Sequence, residues 1–144
     1  GSSVAALSGC GPVCLSMAGY SLTRDEDTFR PDKVIQFALD HGYCVPGNGS
    51  KWTLISEGGE ELGLDVTELP LDENRMVRAL EAGQRIICIM GPGVFTTTGH
   101  YILLTGVEDG KFRVNDPNSR ENSQKLWAYA EFADQIRNLW AIGV

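Results

Sequence analysis

The sequence predicts an α+β chain in two segregated halves, helices first and antiparallel strands second. Three observations predict it. Up to residue 83, apolar residues recur mostly at helical spacing, and Pro and Gly fall where helices start and stop. From residue 85 the pattern changes to continuous or alternating apolar runs. Two of those runs flank Asp109-Gly110, a strong hairpin signal. A cleft between such halves is a natural place for a site.

Each element has a local reason. PVCLSMAGY, 12 to 20, reads as a helix with Cys10, Cys14 and Met17 at helical spacing on one side. PDKVIQFALDHG, 31 to 42, is a second helix, with Pro31 suited to its first turn and Gly42 to its end. WTLISEGGEELG, 52 to 63, is a third, weakened by Gly58-Gly59. LDVTEL, 64 to 69, alternates as a strand does. DENRMVRALEAG, 72 to 83, is a helix capped by Asp72 and closed by Gly83. RIICIM, 85 to 90, is a strand buried on both faces. HYILLTGVE, 100 to 108, and KFRVND, 111 to 116, form the hairpin; the tail offers a helix near 129 to 137 and a short strand, 139 to 143.

The 144 residues suit one domain with a real core, and 42% hydrophobic with 22% charged residues is an ordinary globular balance. A net charge of −7 argues against nucleic acid and against docking on anionic lipid, both of which need a basic face. No apolar run has the length of a membrane span, so no membrane insertion is expected. The opening GSS suggests a chain trimmed at its N-terminus. Four cysteines, at 10, 14, 44 and 88, do not have the spacing of a small disulfide scaffold.

The chemistry begins with LSGCGPVC, 7 to 14. Gly9 and Gly11 strip the bulk from both sides of Cys10, and a helix is expected to start just after it. A buried structural thiol needs no such clearance; a nucleophile does. Catalytic thiols fall from about 8.5 to roughly 3–4, a drop of about 4–5 units. That is near 6 kcal/mol at about 1.36 per unit. A helix terminus supplies at most about 2 kcal/mol, so a cation must supply the rest. His100, as imidazolium, is the candidate. The hairpin sets it across from Asp116, give or take one or two residues. The expected arrangement has Nδ1–H donating to the carboxylate and Nε2 facing outward. Gly99 keeps the approach open, and the glycines leave the Cys10 N–H as an oxyanion donor.

The order Cys, His, Asp, with GCGP at 9 to 12, GHYILLTG at 99 to 106 and NDPNS at 115 to 119, resembles the papain-like cysteine peptidases. The closer similarity is to their family thirty-nine, the bacteriocin-processing type and its secreted stand-alone relatives. The resemblance implies a helical N-terminal half packed on an antiparallel sheet. It implies Cys10 as nucleophile, His100 as general acid/base and Asp116 as its orienting partner. It also implies a peptide or protein substrate, with no metal or organic cofactor. The family places a glutamine before the nucleophile as a second oxyanion donor, but Gln36, Gln84, Gln124 and Gln135 all lie downstream. Either the donor lay upstream, or another group replaces it, or the oxyanion is poorly held, which typically costs about 10²–10³ in rate. Bacteriocin-type members cut after paired glycines while joined to a transporter. A stand-alone relative is expected outside a bacterial cell or on its surface, and a cytoplasmic location stays open. Oligomeric state is unspecified.

Plainer readings stand beside these. Cys14 and Cys88 read as core residues. Cys44 with His41 and the first two cysteines could suggest a metal, but the spacings match no zinc motif, and His41 reads as a helix end. Asp116 before Pro117 could simply open a turn. Trp52, Trp127 and Trp140 read as core, and TTT, 96 to 98, as a polar loop or the border of the cleft. On the same fold, a cell-wall peptide amidase and a catalytically silent binding or regulatory module are the alternatives to a peptidase.

Overall fold

The computed structural model describes residues 2–45, 49–50, 52–95, 100–117 and 119–144, with side chains except those of 2–10, 44–45 and 49–50. The N-terminal half holds α1 (Ser2–Thr23), α2 (Glu26–Phe29), α3 (Pro31–Asp40), the short pair β1 (Cys44–Val45) and β2 (Gly49–Ser50), a π-helical turn (Leu54–Gly58) and α4 (Gly59–Glu61). Then come β3 (Asp65–Glu68), α5 (Glu73–Glu81), β4 (Arg85–Met90), β5 (His100–Glu108) and β6 (Lys111–Asn115). The chain closes with α6 (Arg120–Ser123), β7 (Leu126–Trp127), α7 (Tyr129–Phe132), a 3₁₀ turn (Ala133–Gln135) and β8 (Ile136–Gly143).

Strands 3 to 8 form one antiparallel sheet in the order β3-β8-β4-β5-β6-β7. Side chains alternate across it. Ile87, Tyr101, Leu103, Trp140 and Ile142 face Cys14, Leu15 and Ala18 of α1, Val34 and Ala38 of α3, and Leu54 and Ile55 of the π-helical turn. Ile86, Cys88, Met90, Ile102, Leu104, Phe112, Val114, Leu139 and Ala141 face Met76, Ala79 and Leu80 of α5, together with Trp127 and Phe132. The strand 85–90 is thus buried on both faces, as its unbroken apolar run predicts. Burial also pushes the Cys88 thiol far up, which fits an inert core residue.

Several expectations need correction. The first helix starts at Ser2, not at Pro12, which lies inside it. The third helical stretch is wound as a π-helix before Gly59. Gly59 is needed there because a Cβ would lie 2.7 Å from Val66 Cγ2, so β3 packs directly on the glycine. In the tail the helix stops at Phe132 and strand begins at Ile136, because β8 pairs with both β3 and β4 and those ladders claim residues 136 to 143. Trp127 and Trp140 are buried, but Trp52 is 47% exposed and only edges against Trp140. His41 does end its helix, its Nδ1 2.9 Å from the Phe37 carbonyl oxygen.

Candidate active site

The hairpin turn is where the sequence places it. Asp109 and Gly110 take φ of 53° and 76°, the left-handed pair that a two-residue hairpin requires. From there the ladder runs Glu108↔Lys111, Val107↔Phe112 and Gly106↔Arg113, then shifts to Leu104↔Val114 and Leu103↔Asn115. One extra residue, Thr105, has been taken up by β5 as a bulge.

That bulge decides which groups can meet. Continued without it, the ladder would set Asp116 opposite Leu103, on the face of Tyr101 and away from His100. With it, the continuation sets Asp116 opposite Ile102, on the face that His100 shares. His100 is then a diagonal neighbour of Asp116, not its direct partner, and diagonal Cβ atoms are about 7–8 Å apart.

The diagonal explains the orientation of the ring. The far nitrogen makes the bond: His100 Nε2 stands 2.5 Å from Asp116 Oδ1. The expected Nδ1 pairing is therefore corrected, since Nε2 is the ring nitrogen with the reach. Both side chains are almost fully buried, at 2% and 1% exposure. A carboxylate so buried needs donors, and a short charge-assisted bond to a histidine is one.

A second set of contacts holds the acid from behind. Asn122 Nδ2 donates to Asp116 Oδ2 at 3.1 Å, and the Asp116 N–H donates to Ser123 Oγ at 2.8 Å. Both residues come from α6, a four-residue helix capped by Ser119, whose Oγ accepts from the Asn122 N–H at 3.0 Å. Trp127 Nε1–H donates to the Asn122 carbonyl at 3.0 Å, and Lys125 Nζ stands 3.8 Å from the centre of the Trp127 ring. Sequence reading took NDPNS as a turn and missed Asn122 and Ser123. The available signal was Ser119 followed by RENS, a helix N-cap ahead of polar helix formers.

The segment that follows β4 is anchored from the 3₁₀ turn ahead of β8. The Gly91 N–H donates to the Gln135 carbonyl and the Val94 N–H to Gln135 Oε1, each at 2.8 Å. Phe95 packs on Trp127 with ring centroids 4.6 Å apart. Gly99 and the threonines 96 to 98 lie outside the described residues, as does the Cys10 side chain. The Cys44 side chain does too, and with Cys10 it takes half of the four-ligand metal set outside the described residues.

The backbone at Cys10 is described, and it changes one argument. Cys10 lies eight residues into α1, where a helix N–H bonds the carbonyl four residues back. The field of a helix start falls off within the first turn, so that contribution to a thiolate does not apply here. Gly9 and Gly11 flank it within the helix, and Gly11 is buried.

Comparison with known proteins adds the family. No curated protein matches. Among solved structures, the peptidase domain of Streptococcus ComA, a bi-functional ABC transporter involved in a quorum sensing pathway, superposes with a TM-score of 0.64 at 17% identity, over 94% of this chain and 91% of that one. A chain described as a C39-like peptidase from Bacillus anthracis gives 0.57 at 14% identity, over 95% and 89%. At these identities the two structures show a shared fold, with a mixed set of helices and an antiparallel sheet. The model of the Peptidase_C39 like family matches residues 3–142, and the chain belongs to that family.

Proposed function

We propose that the protein is a cysteine peptidase that cleaves peptide or protein substrates through Cys10, His100 and Asp116. One observation carries the reading: a buried, short imidazole–carboxylate pair, set on one sheet face by a bulge, in a chain of a peptidase-type family.

The mechanism follows from that geometry. With Nε2 committed to Asp116, proton exchange falls to Nδ1. His100 is the first residue of β5, at the end of the sheet, and the reading requires a thiol carried by α1 to reach it past the strand's start. Asp116 stabilises the imidazolium, and the imidazolium stabilises the thiolate. The thiolate attacks the carbonyl carbon, the imidazolium protonates the leaving amine, and the neutral ring then takes a proton from water to hydrolyse the thioester. The oxyanion needs donors. For the Cys10 N–H to be one, it must leave its helical partner. Gly9-Cys10-Gly11-Pro12 is the least costly place in α1 to open, since each Gly costs a helix about 1 kcal/mol and Pro about 3.

The test is the rate of Cys10 alkylation by iodoacetamide against pH. A rate that persists below neutral pH and collapses in His100→Ala is expected, as is loss of peptide hydrolysis in Cys10→Ser. Full hydrolysis by Cys10→Ser would sink the proposal. One observation favours a second reading, a catalytically silent peptide-binding module: α1 runs helical through Cys10. That reading predicts a thiol titrating near its ordinary value, indifferent to His100→Ala.

A further inference from the structure

We propose that Asn122 is a positioning residue for the His100–Asp116 pair, fixing the rotation of the Asp116 carboxylate so that Oδ1 meets the imidazole. The inference deepens the peptidase reading and rests on it for its consequence at Cys10.

The argument is one of acceptors and anchors. A carboxylate turning about its last torsion can offer either oxygen, or neither, to a ring that it meets only diagonally. Asp116 is held at both ends of that torsion. Its N–H is tied to Ser123 Oγ and its carbonyl accepts from the Ser119 N–H at 3.1 Å, which fixes the backbone. Its Oδ2 takes the Asn122 amide at 3.1 Å, which leaves Oδ1 directed at Nε2. Asn122 is in turn fixed at its N–H by Ser119 and at its carbonyl by Trp127. Both anchors use its backbone and survive replacement of its side chain. The charged side chains carried by this segment, Arg120, Glu121 and Lys125, are exposed, and α6 presents a neutral amide to the carboxylate. A neutral donor suits the place: it satisfies a buried anion without competing with the imidazolium for its charge.

The experiment follows the His100 ring by NMR through a pH titration, in the intact chain and in Asn122 variants. In Asn122→Ala the carboxylate loses a donor and its fixed rotation, the imidazolium is held less well, and the ring's titration midpoint falls by about one unit. Asn122→Asp keeps the shape. Two carboxylates so close share a proton, and the protonated one presents an O–H where the amide stood, so the midpoint returns towards that of the unaltered chain. A merely structural role would not produce that recovery. Should the alanine variant fail to fold, Asn122→Leu, of similar shape without a donor, carries the same comparison. A midpoint unchanged in Asn122→Ala or Asn122→Leu overturns the proposal, as does an Asn122→Asp variant no better than alanine. The alkylation profile of Cys10 is measured alongside. A tenfold slower rate on its acid limb in Asn122→Ala is expected, the equivalent of about one unit. If the unaltered chain shows no acid limb, the peptidase reading fails, while the ring titration still decides the role of Asn122.

Discussion

One hairpin carries two pairs of a basic side chain with a carboxylate, and they differ in how much water they keep. Near the turn, Arg113 bonds Glu108 with both side chains about half exposed. At the other end, His100 bonds Asp116 with both almost fully enclosed. The first pair sits in water, where salt screens it and side-chain entropy offsets most of its gain. The second has given up its hydration, so each partner depends on the other and on Asn122 and the ring of contacts behind the acid. The contrast teaches that a charged pair becomes chemically useful where the fold removes its alternatives.

The largest effect should come from breaking the enclosed pair. Asp116→Ala takes the carboxylate away from a buried imidazole and should cost about 3–5 kcal/mol in denaturant unfolding. A cost below that of an exposed pair would erase the contrast. An intermediate effect is expected from Ser119→Ala, which removes the cap of α6 and should cost about 1 kcal/mol. Some of that loss should appear as a shifted His100 titration. Glu108→Gln should cost at most about 1 kcal/mol, a difference that shrinks as salt is added. A cost that persisted in high salt would mean that the exposed pair resembles the buried one.

The smallest effect sharpens the comparison from outside the hairpin. Half-buried Tyr43 donates to Glu61 Oε1 at 2.7 Å, and that bond, followed by burial, pushes its phenol up to about 12 from 10. A raised value favours the neutral form in the fold. Its contribution is therefore present below pH 10 and lost as the pH climbs through about 12. Glu61→Gln should return the phenol towards 10, read by ultraviolet absorbance in an alkaline titration. No movement would show that the carboxylate is not the cause.

How much of this was legible in the sequence follows from what is local. Asp109-Gly110 announces the hairpin, and with it the neighbourhood of His100 and Asp116, because turn chemistry is written in two residues. The orientation of the ring was missed, since it depends on a bulge whose one local signal is Gly106, a single glycine inside the strand pattern beside Thr105. The start of α1 was misplaced because Pro12 was read as a first-turn residue, whereas it lies inside a longer helix. The tail failed for a tertiary reason, β8 being claimed by two partner strands that lie far away in sequence. Asn122 was missed because its role exists only once α6 folds back beneath Asp116.

The bulge at Thr105 also means that spacing, and not only residue identity, is what this family member must inherit. A lineage could keep its cysteine, histidine and aspartate and still lose its chemistry through the insertion of one codon between the last two. Comparison by motif would score such a sequence as intact. Inserting one residue beside Thr105 is the direct trial: all three side chains stay in the chain, the continued ladder sets the acid opposite Leu103 and away from His100, and alkylation at acid pH should cease. If it continued, register would have been recovered elsewhere in the hairpin, and the strand would prove more forgiving than its ladder implies.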